Sequence, residues 1–165
     1  MRCIEWAGVR LFESFVEMPR GWATNLLEEF FKHQGSVDKS HKIAGRWENQ
    51  YLTIDHAPSA RIPMRFARNM GKDGLDISSM ILFEAPSGSP NPHPPFWFNV
   101  AGKGEKTGLH DHAHGSILSA VTYLQAEENC GHLYFRKEGF EDLTIKPEVG
   151  KIIIFPPSLL HGVHV

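Results

Sequence analysis

Apolar and polar positions follow two different periods along the chain, and the change falls near residue 78. Before it, Trp22, Leu26, Leu27, Phe30 and Phe31 recur at helical spacing, with Glu28, Glu29 and Lys32 between them. Pro19 suits the first turn of such a helix and Gly35 its end, so the spacing predicts a helix over 19–34. An amphipathic helix packed on a sheet is the reading. A second short helix is predicted over 59–71, where Arg61, Arg65 and Arg68 share one solvated face. The rest of residues 1–77 reads as loop.

After residue 78 the pattern becomes short strands separated by turn residues. Strands are predicted over 79–84, 96–101, 110–114, 117–125, 132–137, 142–146 and 151–155. The segments between them carry Gly, Pro, Asn or Asp, which set turn geometry. Seven short strands at this spacing suggest an antiparallel sandwich or barrel. KIIIF, at 151–155, is apolar on both faces of the pleat and therefore belongs in the middle of a sheet, not at its edge. The expectation is a mainly β (α+β) chain. Residues 1–77 form a helical and loop part packed outside, and 78–165 form the β core of one domain.

Length and composition narrow the classes. With 165 residues, 41% hydrophobic and 22% charged, the chain is globular and of single-domain size. It is too short for a complete (β/α)₈ barrel. A formal charge of −2 argues against binding nucleic acid through bulk positive charge. Cys3 and Cys130 are too few for a disulfide framework or a thiolate zinc site, which suggests a reducing, cytoplasmic setting. No apolar run suggests a signal segment or a membrane span.

The candidate chemistry lies in the histidines. Of ten, six (His110, His112, His114, His132, His161 and His164) fall in the last third. His110, His112 and His114 alternate in HDHAH, and residues two apart in a strand share a face. Adjacent pairs can therefore converge on one metal ion, with a third ligand from elsewhere. His161, 49 residues after His112 and just past the buried KIIIF strand, is the candidate. The competing reading is an exposed polar edge, although burying several unpaired imidazoles would be costly. No phosphate loop, nucleophile elbow or Cys–His pair is present. Trp97 and Phe98 read as core residues, not as a stacking platform.

Three segments in the second half carry a family resemblance: WFNVAGKGEKTGLHDH from Trp97, SILSAVTYL from Ser116, and PEVGKIIIFPPSLLHGV from Pro147. They resemble the W-x-N…H-x-H, L-S-G-V-Y-Y-L and P-x-x-G…F-P-S-x-L-x-H-x-V segments of 2-oxoglutarate/Fe(II) oxygenases of the double-stranded β-helix type. The resemblance covers about residues 96–165 and implies a jelly-roll-like barrel. It implies Fe(II) held by His110, His112 and His161, with His114 as a reserve or supporting residue. Counting from Trp97 selects that pair, whereas counting back from Leu118 falls one residue out of step. The resemblance also implies a 2-oxoglutarate cosubstrate and hydroxylation of a small-molecule or peptide substrate; Asn99 and Ser119, from their places beside the metal strands, are candidate cosubstrate contacts, with strand-end hydrogen bonding the competing and favoured reading.

Two departures from the family pattern stand out. The usual carboxylate ligand position is occupied by His112, which leaves room for another divalent metal such as Zn(II) or Ni(II). The Arg that pairs with the far carboxylate of 2-oxoglutarate would follow the distal His, but the chain ends four residues after His161. Arg136 and Lys106 lie in the same half, and nothing in their spacing recommends either. The expectation is a chain lacking its last strand, with a free sheet edge that favours a homodimer. Two alternatives remain open: a cupin-type three-His metalloprotein without 2-oxoglutarate, and a non-catalytic β-sandwich binding module. Neither nucleic acid nor membrane is expected as a partner.

Overall fold

The computed structural model describes residues 1–43, 45–78 and 81–165. Strands β1 (Arg2–Trp6) and β2 (Val9–Phe15) open the chain, followed by helix α1 (Trp22–Lys32). Strands β3 (Asp38–Ile43) and β4 (Arg46–Tyr51) and helix α2 (Arg61–Leu75) come next. The second half carries β5 (Thr107–His110), β6 (Ser119–Thr122), β7 (Leu133–Arg136), β8 (Leu143–Ile145), β9 (Lys151–Phe155) and β10 (Leu160–Val163). The fold is mainly β. One antiparallel sheet runs β1-β2-β9-β6, another runs β5-β10-β7-β8, and β3 and β4 pair alone. Among the described residues the sheets do not close into a barrel. No described helix is long and apolar enough to cross a membrane.

The KIIIF strand organises the interior as its pattern predicts. All five of its residues are buried, between β2 and β6. Ile152 and Ile154 pack with Phe12, Trp22, Leu26, Phe30 and Met70 on the helical side. Ile153 and Phe155 pack with Leu11, Leu133, Phe135, Ile145 and Leu159 toward the second sheet. One strand thus separates two cores, because successive side chains point to opposite faces. Fully burying each such side chain contributes about 1.5–3 kcal/mol.

Both predicted helices form, with shifted bounds. Helix α1 starts at Trp22 rather than near Pro19 and ends at Lys32; a 3-10 turn, Gln34–Ser36, then contains Gly35. It buries Trp22, Ala23, Leu26 and Phe30 but leaves Phe31 exposed, so the apolar stripe is narrower than its composition suggests. Helix α2 runs past Gly71 to Leu75. Its Gly71 and Gly74 permit close packing. A Cβ at Gly74 would stand 2.9 Å from the Phe12 ring, and one at Gly71 would stand 2.9 Å from Leu118 Cδ2.

The largest departure concerns residues 1–77, expected as helix and loop. They contain four strands, and β1 and β2 extend the first sheet. Residues Ala7 and Gly8 both have positive φ, 51° and 73°, which is the two-residue hairpin turn that matches strand twist. Of the predicted strands, 96–101 supplies only an isolated bridge between Gln50 and Phe98. The 79–84 prediction lies partly outside the described residues, and residues 81–84 are not strand. The 110–114 strand is displaced: β5 ends at His110, and Ala113–Gly115 is a turn. The Asp111 carboxylate accepts the Ala113 N–H at 3.1 Å, a local bond that competes with continued pairing.

Candidate metal centre

His110 and His161 are brought together by strand register. β10 pairs with β5, and His161 lies directly opposite His110. His161 therefore stands on its own short strand in the second sheet, not at the exit of KIIIF as its sequence position suggested. Strand β10 is confined between β5 and β7, and Gly162 makes that possible. A Cβ there would fall 2.9 Å from Thr107 O and 2.8 Å from the Tyr134 hydroxyl.

His112 arrives differently. It follows the end of β5, and its backbone N–H donates to Pro157 O at 2.7 Å. Pro157 belongs to the turn between β9 and β10, in which Leu159 N–H donates to Pro156 O at 3.0 Å. The same turn therefore anchors His112 and leads into His161. The structure brings His110, His112 and His161 together, but for His112 a loop anchored on the Pro-Pro turn, not strand alternation, supplies the convergence.

The three imidazoles form a cluster that could hold a metal ion. Their candidate ligand atoms all lie within 4.8 Å of one another. Ring centroids are 4.4 Å apart for His110–His161, 4.9 Å for His110–His112 and 5.0 Å for His112–His161. Nitrogens sharing a metal at about 2.0–2.2 Å stand about 3–3.5 Å apart, so binding requires the rings to close in slightly.

Hydrogen bonds set the tautomers of two of the rings. His110 Nδ1 lies 2.7 Å from Gly108 O, and His161 Nδ1 lies 2.9 Å from Leu159 O. A carbonyl only accepts, so both Nδ1 atoms carry the proton and both Nε2 atoms keep a lone pair. This arrangement orients metal-binding histidines and makes them better donors. His161 is buried, with Phe155 4.8 Å and Phe135 6.2 Å from its ring. Burial lowers its pKa to about 4; the Leu159 hydrogen bond opposes that shift, and His110 and His112 add to it. Burial also lowers the pKa of His112, with His110 and His41 assisting and Asp111 opposing. Neutral imidazole is the ligating form.

The other predicted site residues lie elsewhere. His114 is exposed in the turn after His112 and is not part of the cluster. Ser119 is buried in β6, paired with Phe155. Asn99 takes part in a network around Arg46: its Oδ1 accepts from Arg46 Nη1 at 3.0 Å, and its Nδ2 donates to Glu48 Oε2 at 3.1 Å. Arg46 also donates to Val100 O, Lys106 O, Thr107 Oγ1 and Glu48 Oε2, at 2.7–3.0 Å. It fastens the loop that leads into β5. Lys106 is exposed and contributes its carbonyl to Arg46. Arg136 is forked onto Asp142 at 2.6 and 2.9 Å.

Several residues at the site went unread in the sequence. Trp97, expected in the core, stands edge-on to His112 at 5.2 Å, whereas Phe98 does pack against the helical core. Tyr51 lies 6.2 Å from Trp97 and stacks on His93 at 4.1 Å. The H-P-P-F-W order of the Pro-rich loop gave a signal for its aromatic end; nothing marked Arg46 or Tyr51 as neighbours. No family model matches the chain, and no curated protein sequence matches it.

Proposed function

We propose that this chain is a non-haem Fe(II)- and 2-oxoglutarate-dependent oxygenase whose metal is held by His110, His112 and His161. The observation that carries the reading is the pairing of His110 with His161 across β5 and β10, with His112 anchored beside them on Pro157. The donor set fits: neutral imidazole suits iron, zinc, copper and nickel. Three ligands leave positions open for a small acid and a gas molecule. Fe(II) with 2-oxoglutarate and O₂ would supply the oxidising chemistry that places oxygen on a C–H bond. The chain's own residues would hold and orient. Gly108 O and Leu159 O fix two rings, and Phe135 and Phe155 keep water from behind His161. In this reading the two four-stranded sheets are the walls of a double-stranded β-helix.

Specific observations favour a second reading, a cupin-type three-His metalloprotein without 2-oxoglutarate. The cluster holds no carboxylate, Asp111 bonds to the Ala113 N–H instead, and Arg136 is forked onto Asp142. Anaerobic titration separates the two. Fe(II) should raise the melting temperature of the protein, because binding to the native state must stabilise it. Adding 2-oxoglutarate should then produce a visible charge-transfer band. Stabilisation by Fe(II) with no band and no added affinity favours the second reading. No stabilisation by Fe(II) or Zn(II) rejects both and leaves a non-catalytic β-sandwich.

A further inference from the structure

Strand β5 carries one residue more than the stretch of β10 it pairs with. His110 lies opposite His161 and Thr107 opposite Val163, so three steps along β5 match two along β10. The extra residue is a β-bulge, a device that re-aims side chains. Residues directly opposite on paired strands share a face, and so do His161 and Val163, two apart on β10. In a regular strand Thr107 and His110, three apart, would face opposite ways. The bulge turns both to the face that carries His161. Burial agrees, since Thr107 is buried while Leu109, between them, is exposed. Gly108, within the bulge, supplies the carbonyl that holds His110 Nδ1.

Arg46 clasps the entry to this bulge. Its Nη2 donates to Lys106 O and to Thr107 Oγ1, both at 3.0 Å. Its Nη1 donates to Asn99 Oδ1 and Val100 O. Glu48 Oε2 closes the group, accepting from Arg46 Nη2 at 2.7 Å and from Asn99 Nδ2 at 3.1 Å. The Arg46 and Glu48 side chains are only 10% and 7% exposed, so salt screens this ion pair little. The clasp also reaches the loop that faces His112. Phe98, next to Asn99, exchanges both backbone hydrogen bonds with Gln50, at 2.8 and 3.0 Å. Trp97, one residue further back, stands edge-on to His112.

We propose that Arg46 is a positioning residue of the metal centre: it locks the β5 bulge and so aims His110 at the point where His112 and His161 meet. The proposal rests on the three-His metal reading above. The register carries it. If the bulge slips out, Thr107 and His110 return to opposite faces, and His110 leaves the cluster. Only a planar fork can meet Lys106 O, Thr107, Asn99 and Glu48 at once, because its donors point in fixed directions; a lysine ammonium is a single point charge on a flexible stem.

The test uses the full chain titrated with Co(II), whose visible absorption follows its coordination geometry. Arg46→Lys is compared with the unsubstituted protein and with Thr107→Val, which removes one bond of the clasp. Ile54→Val, a change in the helical-side core that leaves the clasp intact, is the control. Melting temperatures of the metal-free proteins are measured alongside. Arg46→Lys should lower Co(II) affinity about 10–100-fold, the loss typical of a residue that orients a ligand, and should shift the visible band. Thr107→Val should shift the band the same way, with a loss under about tenfold. Ile54→Val should lower the melting temperature and move neither band nor affinity. A lower melting temperature in Arg46→Lys with band and affinity unchanged overturns the proposal and makes the clasp purely structural. The same band shift in Ile54→Val also overturns it, since any loosening of the fold would then suffice. If Arg46→Lys does not fold, Thr107→Val decides: a shifted band supports the proposal and an unchanged one overturns it. Failure of the unsubstituted protein to bind Co(II), Fe(II) or Zn(II) overturns the metal-site reading itself, and the proposal with it.

Discussion

The two halves of the histidine cluster are built on different principles. His110 and His161 sit opposite one another on paired strands, each ring tied by Nδ1 to a carbonyl two residues before it. His112 sits in a loop, located by a backbone bond to Pro157 and by the edge of Trp97. The strand half is fixed by register, which cannot slip without turning every neighbouring side chain to the wrong face. The loop half can move by small dihedral changes. As the proposed metal centre, the cluster would have two rigid ligands and one adjustable one, and the adjustable one is where the rings could close on a metal.

The sharpest break in that comparison is His161→Ala. It removes the buried member of the proposed ligand set, the one packed against Phe135 and Phe155. Metal affinity should fall by more than the roughly 10–100-fold typical of losing a supporting residue. Calorimetric titration with Fe(II) or Zn(II) checks this. Retained affinity would mean that the register pair is not the metal's foundation.

Acid should distinguish the halves next, in the metal-free protein. Burial holds the His161 pKa at about 4 in the folded protein, against 6.5 for an unperturbed histidine. The unfolded chain therefore binds more protons between those values. Stability should be level above pH 6.5 and fall as pH drops from 6.5 toward 4, by about 3 kcal/mol in total. Urea denaturation across that range measures the slope. In His161→Gln the slope should be shallower, because the remaining depressed group, His112, is only half buried.

These contrasts also explain what could be read in advance. The KIIIF strand was legible because five consecutive apolar residues have no place but between two cores. The β1–β2 hairpin was not, since Glu5, Arg10 and Glu13 interrupt its apolar positions, and its turn, Ala-Gly, is a weaker signal than Asn-Gly. Strand β10 is too short, and its Gly162 too unlike a strand residue, to show any alternation. Its identity depends on being squeezed between β5 and β7. That His110, His112 and His161 come together was readable from spacing and resemblance, although the strand predicted to carry His112 stops at His110. Tyr51 lay beyond reach, because only the folded chain brings it against Trp97, which in turn meets His112.

His112→Ala probes the loop half and should be the milder lesion. The position is half-buried, so water can enter and take the vacated place while His110 and His161 still hold the ion. A loss of about 10–100-fold in metal affinity is expected. If the loss matched that of His161→Ala, the distinction between a rigid and an adjustable half would be wrong.

The smallest effect separates the loop's ligand from its neighbour. His114 stands two residues after His112, the spacing at which a continuing strand would put both rings on one face. Asp111 ends that strand by taking the Ala113 N–H, and the turn leaves His114 exposed, outside the cluster. His114→Ala should therefore leave metal affinity within about twofold, since surface substitutions are usually worth less than about 0.5 kcal/mol. A loss larger than that of His112→Ala would mean that the loop re-forms around the metal with His114 inward. The choice between the two residues would then rest on the loop's mobility rather than on its anchor at Pro157.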